Sequence, residues 1–294
     1  MDPRLFTSHP PVPADVAFVT CARVPDLDGD DQPLVGMLEA EGLRVVPVVW
    51  DEEDFDPGRA RLFVVRSTWD YHLDRDRFLA WAELVASRRM LLNPLRVLRW
   101  NTHKSYLREL AARGVPTVET EWIERGSTLD LSALLARRGW TDAVAKPAVS
   151  AGAFKTTRIR DDAASASRVA ALVTERDTMI QPLLPSIDVR GEHSYVFLDG
   201  EFSHAVRRES GMASPGGFAA SHPLAPERRE LDLARDALGS LRSEVLYARV
   251  DLVADGAETR VLELELVEPS LFFHHAPEAR ARFVGAIVRR LRAS

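Results

Sequence analysis

The chain has 294 residues, 38 basic and 44 acidic side chains and a net charge of −6, which argues against a general nucleic-acid or membrane-surface role. Its 46% hydrophobic content excludes wholesale disorder, and its length predicts about two domains. The single cysteine, Cys21, excludes an intrachain disulfide framework and a zinc–cysteine cluster, and it fits a reducing cytoplasm.

Residues 1–14, with four prolines by Pro13 and no apolar core, read as a flexible leader without a secretory signal. No apolar run approaches the roughly 20 residues needed to cross a bilayer. Over 15–95 the spacing predicts strands at 16–20, 44–50 and 61–66 and helices at 31–42 and 74–89. Such alternation implies an α/β domain with a parallel sheet covered on both faces. Ligands collect beyond the carboxyl ends of such strands. The loop leaving the third strand, RSTWDYH (66–72), is rich in hydrogen-bonding groups there. A connector (93–101) leads to a helix over 102–114. A small α+β lobe over about 115–183 follows, with strands at 115–123, 142–147 and 178–184 and helices at 129–139 and 161–175. The last part, 184–294, reads as antiparallel strands with helices at 227–241 and near the end. Asp199-Gly200 is a strong hairpin turn. Counting from it pairs Leu198 with Glu201, Val196 with Ser203 and Glu192 with Arg207. The Gly/Ser/Ala/Pro-rich segment 209–226 is expected to be a mobile loop.

In the second hairpin, a five-residue loop over Asp255–Thr259 sets Asp251 opposite Glu263 and Arg249 opposite Glu265. These four side chains share one face, while Val250, Leu252, Leu262 and Leu264 face a core. Three carboxylates on one face either form a solvated acidic surface or await a hard cation such as magnesium or manganese. The small-residue loop AVSAGAFKTT (148–157) after Lys146-Pro147 is either an ordinary turn or a backbone cradle for phosphate. TMIQPLL (178–184) is a core strand or an edge for a flat base. Pro182 has no N–H, which leaves Gln181 and Leu183 as backbone donors. Of the 38 basic residues only Lys104, Lys146 and Lys155 are lysine.

Taken in order, Lys104, Lys146 with its small-residue loop, the apolar exit strand, Arg249-x-Asp251 and Glu263-x-Glu265 resemble the ATP-grasp superfamily over residues 96–294. The first third resembles the Rossmann-like preATP-grasp domain. RSTWDYH, LRWNTHKSYL, AKPAVSAGA, IQPLLPSI, GEHSYVFLDGEFSHAV, YARVDLV and LELELVEPSL resemble the branch that includes the O-ureidoserine cyclo-ligase of cycloserine biosynthesis. The resemblance implies ATP held by Lys104, Lys146, Ser150, Ala151, Gly152, Gln181, Pro182, Leu183, Glu192 and Arg208. It also implies Mg2+ (two ions, with Mn2+ as the alternative) on Asp251, Glu263 and Glu265, and catalysis by Arg249 at an acyl phosphate. The implied partner is a small amino-acid-like substrate near Arg66, Ser67, Thr68, Asp70 and His72. No nucleic acid or membrane partner is expected, the compartment is cytoplasmic, and a homodimer is compatible with the sequence. Trp69 and Tyr71 either face that substrate or pack under the loop. Arg208 is a phosphate contact or a surface arginine.

One departure stands out. Relatives commonly carry a Gly-Asp-Phe-Arg type segment whose arginine contacts the γ-phosphate, whereas this chain has no arginine between Arg208 and Arg228. Three functions are therefore weighed: a carboxylate–nitrogen ligase, a small-molecule kinase or ATPase, and a non-catalytic nucleotide-binding module.

Overall fold

The computed structural model describes residues 13–209 and 220–293. All but the last two residues of the expected leader, and most of the 209–226 segment, lie outside those. Strands and helices alternate first: β1 (Ala14–Thr20), α1 (Gln32–Ala40), β2 (Val45–Val49), β3 (Ala60–Ser67), α2 (Arg75–Ala86) and β4 (Met90–Leu92). The strands form a parallel sheet in the order β2-β1-β3-β4. Val16, Phe18, Leu62 and Val64 pack in one core with Leu34 and Leu38 of α1. Ala17, Val19, Phe63 and Val65 pack in another with Phe78, Trp81 and Val85 of α2. Burial on both faces is why these strands read as continuous apolar runs. Cys21 is buried just beyond β1.

The expected connector is a helix. Pro94 opens α3 (Leu95–Asn101), and α4 (Tyr106–Ala112) follows after a break. In that break the Lys104 N–H donates across the structure to the Ala148 carbonyl (2.8 Å). That splits the helix expected over 102–114. Next come β5 (Glu121–Ile123), α5 (Leu131–Arg138), β6 (Asp142–Pro147), β7 (Thr157–Arg160), α6 (Ala163–Glu175) and β8 (Thr178–Pro182). Asp130 and Asp162 cap α5 and α6, accepting from Ala133 N–H (2.9 Å) and Ser165 N–H (2.6 Å). This sheet is antiparallel, ordered β5-β8-β6-β7. Leu131, Leu134, Val169 and Val173 of the two helices cover Ala143, Ala145, Ile159 and Ile180. The alternate residues Val144, Lys146 and Gln181 look the other way, into a cleft.

The third sheet follows α7 (Ser186–Arg190). It contains β9 (Glu192–Leu198), β10 (Glu201–Arg208), β11 (Ser221–Leu224), β12 (Tyr247–Asp255) and β13 (Glu258–Glu265), with α8 (Arg228–Leu238) before β12 and α9 (Ala279–Arg292) closing the chain. Its order is β11-β10-β9-β12-β13, antiparallel throughout. Ala234, Ala237 and Leu238 of α8 pack with Val250, Leu252 and Leu264. Phe283 and Ile287 of α9 share the core of β1 and α1. β11 lies inside the segment expected to be a loop, because Ser221–Leu224 find β10 as a pairing partner.

Two bulges alter the expected registers. In the first hairpin Ser203 is the extra residue, so Val196 pairs with His204, and Glu192 pairs with Arg208 rather than Arg207. In the second, the turn is tight, closing on Asp255 and Glu258, and not the five-residue loop expected. A bulge beside Asp251 then absorbs Leu262 and restores the pairs Asp251–Glu263 and Arg249–Glu265. Among the described residues no helix is long and apolar enough to cross a membrane.

Candidate active site

Residues of both antiparallel sheets line one cleft of about 850 Å³, and the loop after β3 meets its inner end. Two lysines enter from the side of the small sheet. Lys146 is the last charged residue of β6, and its Nζ donates to Glu263 Oε1 at 2.9 Å. Lys104 Nζ donates to the Ser150 carbonyl (2.8 Å) and hydroxyl (3.1 Å) and lies 3.9 Å from Glu263. Both lysines are only 8% exposed. The loop between β6 and β7 carries Gly152, Ala153 and Lys155 in the left-handed region. Such a turn aims backbone N–H groups into a concavity suited to anions. Ser150, Ala151 and Gly152 line the cleft.

The opposing wall is a charge network. Asp251 Oδ1 accepts from the Ser194 hydroxyl (2.6 Å) and Arg249 Nε (2.9 Å). Its Oδ2 accepts from Arg208 (2.7 Å) and Arg249 (3.0 Å). Arg208 also donates to Glu192 (2.6 Å) and to the Ser194 hydroxyl (2.8 Å). Arg249 also bonds Glu265 and donates to the Ser270 carbonyl (3.1 Å). Burial disfavours the Asp251 charge, but Arg208 and Arg249 outweigh it and hold the carboxyl below its usual range. Glu263 is likewise held low, by Lys104 and Lys146 against burial. Burial, with Asp251 and Glu263 nearby, pushes Glu265 up. Arg208 is thus a buried-network residue, not a surface arginine, and Gly191 places it. Gly191 has φ +72°, and a Cβ there would sit 2.1 Å from the Arg208 carbonyl oxygen.

The far end of the cleft is an apolar slot of Val118, Val144, Leu183, Leu184 and Leu262 beside Gln181 and Pro182. Leu262, expected in the core, reaches the slot because it is the bulged residue. The Leu183 N–H, expected as a free donor, is already bonded to the Asp142 carbonyl (3.0 Å). The Gln181 side chain is engaged too, donating to the Thr120 hydroxyl (2.8 Å).

The loop after β3 differs from expectation. Of Arg66, Ser67, Thr68, Asp70 and His72, only His72 lines the cleft, joined there by Trp69 and Tyr71. Arg66 is 3% exposed and paired with Asp31 (3.0 Å), which removes it from any substrate carboxylate. Ser67 donates weakly to Asp31 (3.4 Å), Thr68 is fully buried, and Asp70 accepts from the Trp50 indole (2.7 Å). The strand ends in a cage of its own, and the side chains that reach outward are the aromatic ones. His72 packs on Phe154 of the small-residue loop with ring centroids 4.6 Å apart, and burial lowers its pKa to about 4. It is therefore neutral at physiological pH.

Three groups went unread in the sequence. Asn93 bonds the Tyr247 and Leu266 carbonyls and the Leu246 N–H, and Asn101 bonds the Leu264 carbonyl and Leu266 N–H. They clamp the ends of β12 and β13 to the helix before them. Glu268, Ser270 and Phe272, beyond β13, line the cleft. The Asn residues looked like ordinary turn and helix residues, while the EPS that continues the acidic strand was a usable signal.

A cleft between two antiparallel lobes, with lysines on one wall and Arg-x-Asp facing Glu-x-Glu on the other, defines an ATP-grasp fold. The structure of D-alanine–D-alanine ligase from Bacillus anthracis complexed with ATP superposes with TM-score 0.68 at 13% identity, covering 95% of this chain and 97% of that one. Residues 16–93 match the family described as D-cycloserine synthetase DcsG, N-terminal domain. The cycloserine biosynthesis protein DcsG of Streptomyces lavendulae is 32% identical over 298 residues, covering 94% of this chain and 99% of that protein. The crystal structure of D-cycloserine synthetase DcsG superposes with TM-score 0.83 at 30% identity, over 94% of this chain and 99% of that one. The chain belongs to the DcsG family of ATP-grasp proteins.

Proposed function

We propose that this protein is an ATP-dependent ligase of natural-product biosynthesis. It would join the carboxylate of a small amino-acid-like substrate to a nitrogen nucleophile, either between molecules or within one, and work in the cytoplasm. The observation that carries this reading is the convergence of Lys104, Lys146, Arg208, Arg249, Glu263 and Glu265 in one cleft, with Asp251 buried behind Arg208 and Arg249. The layer over 15–95 would serve as the preATP-grasp domain, 115–183 as the small lobe and 184–294 as the large one.

The base of ATP fits the apolar slot around Leu184 and Leu262, with Glu192 toward the ribose. Lys104, Lys146 and the backbone of 150–152 would hold the phosphates. An all-oxygen donor set suits magnesium or manganese. Among the described residues no three His, Cys, Asp or Glu form a ready metal cage, and Asp251 already accepts four hydrogen bonds. That fits ions bound by one or two carboxylates plus phosphate oxygens. Glu263 and Glu265 are the more available ligands, and Asp251 would enter as Arg208 turns to the phosphates. Magnesium supplies neutralisation of phosphate charge during transfer.

The γ-phosphoryl group passes to the substrate carboxylate, giving an acyl phosphate and ADP. The nitrogen then attacks the carbonyl carbon, and Arg249 faces the oxyanion that forms. Phosphate leaves as the C–N bond closes. Arg208, with Arg23 and Arg158 also lining the cleft, would take the place of the arginine missing from 209–217.

ADP release from MgATP tests this reading, with O-ureidoserine and a panel of amino acids as substrates and Glu263→Gln as control. The expected result is stimulation lost at least ~100-fold in the variant, with a new amide or ring seen by mass spectrometry. ADP release without a new C–N bond would favour a kinase or ATPase. Absence of ATP binding would refute the site.

A further inference from the structure

Every inner carboxylate in the cleft or directly behind it has a cation in contact, but for one. Glu192 and Asp251 have Arg208, Asp251 and Glu265 have Arg249, and Glu263 has Lys146. The exception is Glu268. It lines the cleft and is 9% exposed, and among the described residues its carboxylate has no ion-pair partner, only a hydrogen bond from its own backbone N–H. The basic groups that influence it most, Lys104 and Arg249, are committed to Ser150 and to Asp251 with Glu265.

Its position is fixed with unusual care. The Trp69 indole donates to the Glu268 carbonyl (3.2 Å), Arg66 to the Pro269 carbonyl (3.1 Å) and Arg249 to the Ser270 carbonyl (3.1 Å). Three consecutive carbonyls are thus held by three buried or half-buried donors, one from the end of β3, one from the loop after it and one from the charge network. The Asp31–Arg66 pair, which has no place in the phosphate chemistry, acquires a purpose as the anchor of this segment. Trp69, bonded to the Glu268 carbonyl, and Tyr71, which feels the Glu268 charge, line the cleft with Phe272. Aromatic faces and an unpaired carboxylate together suit a compact organic cation.

We propose that Glu268 is the anchor for the primary ammonium group of the substrate, holding the amino end against Trp69 and Tyr71 while the carboxylate lies toward Arg249. This rests on the ligase reading and narrows its substrate class to molecules that keep a free ammonium beside the reacting carboxylate. A carboxylate left alone in a buried site is costly as an anion, and burial with Glu265 nearby raises its pKa to about 8. An incoming ammonium supplies the missing positive charge. The amine bound here is spectator, not nucleophile, since Glu268 would hold it protonated.

Calorimetry on the full chain, with AMPPNP and magnesium present, compares O-ureidoserine and serine with their des-amino counterparts. The wild type is expected to prefer the amine-bearing member of each pair by roughly 10- to 100-fold. Glu268→Gln, which keeps shape and removes charge, is expected to abolish the preference. AMPPNP binding in the same cell reports whether the cleft is formed. Should that variant fail to fold, Glu268→Asp, with the charge drawn back by one methylene, should weaken the preference. A preference that survives in the variant, or no preference or no binding by either amine in the wild type, overturns the proposal. Failure of the ligase reading looks different: ammonium-dependent binding intact, with no substrate-stimulated ADP release.

Discussion

Replacing Arg208 with methionine keeps the bulk of the side chain and removes the donors to Glu192, Asp251 and Ser194. Asp251 retains Arg249 and Ser194, but Glu192 loses its ion-pair partner and keeps only the weaker influence of Lys146 among the described residues. Breaking a buried ion pair on one side costs about 3–5 kcal/mol. Arg208 is 20% exposed and Glu192 18%, so the lower end, about 3 kcal/mol, is expected near pH 8. The penalty has a pH signature. Burial already raises the Glu192 pKa with Arg208 present, and removing Arg208 raises it further. A carboxyl whose folded pKa exceeds its unfolded value binds a proton more readily when folded, so the variant recovers stability as pH falls toward 5. Urea denaturation of Arg208→Met, Glu192→Gln and the double variant at pH 8 and pH 5.5 measures both effects. The double variant should be more stable at pH 8 than the sum of the singles, by about 1–2 kcal/mol. An equal penalty at both pH values, or additive singles, would refute the assignment of the cost to a stranded Glu192 charge.

Gly191→Ala should lower stability by about 2–4 kcal/mol and weaken AMPPNP binding, because its Cβ would meet the Arg208 carbonyl oxygen at 2.1 Å in a left-handed conformation. A thermal midpoint within a degree of wild type would contradict that geometry. The empty wild-type protein should lose stability between about pH 5 and pH 8, since the Glu268 carboxyl is held up at about 8 from an ordinary 4.5. The folded state binds the extra proton in that window, so the slope is negative, with an upper bound of about 4 kcal/mol. Glu268→Gln should flatten the slope in a denaturation series over pH, and an unchanged slope would count against a buried, unpaired Glu268.

The alternation of strands and helices, the Asp199-Gly200 turn and the facing of Asp251 with Glu263 were legible, because period-2 and period-3.6 patterns are local. The register of the first hairpin was not, since nothing in EFSHAVRR marks Ser203 as extra. The Asp251–Glu263 pairing was reached through a loop three residues too long and a bulge not foreseen, two errors that offset each other. Lys104, Lys146, Arg208 and Arg249 were singled out by the order of motifs that resembles the family, and the fold brings all four to one cleft. Arg66 was misjudged because a polar residue at a strand end looks the same whether it faces a ligand or a buried aspartate 35 positions earlier. Asn93 and Asn101 escaped for the same reason: their partners lie more than 150 residues away.

The bulge at Ser203 bears on how any alignment of this family is drawn. An ungapped match that counts residues from the Asp199-Gly200 turn would put Arg207 where Arg208 belongs. Arg207 pairs with His193 across the ladder, on the face opposite the cleft. Inheritance by aligned columns would then assign the role proposed for Arg208 to an arginine on the other side of the sheet. A relative lacking the extra residue would need a one-position gap at Ser203 for its arginine to be recognised as the counterpart.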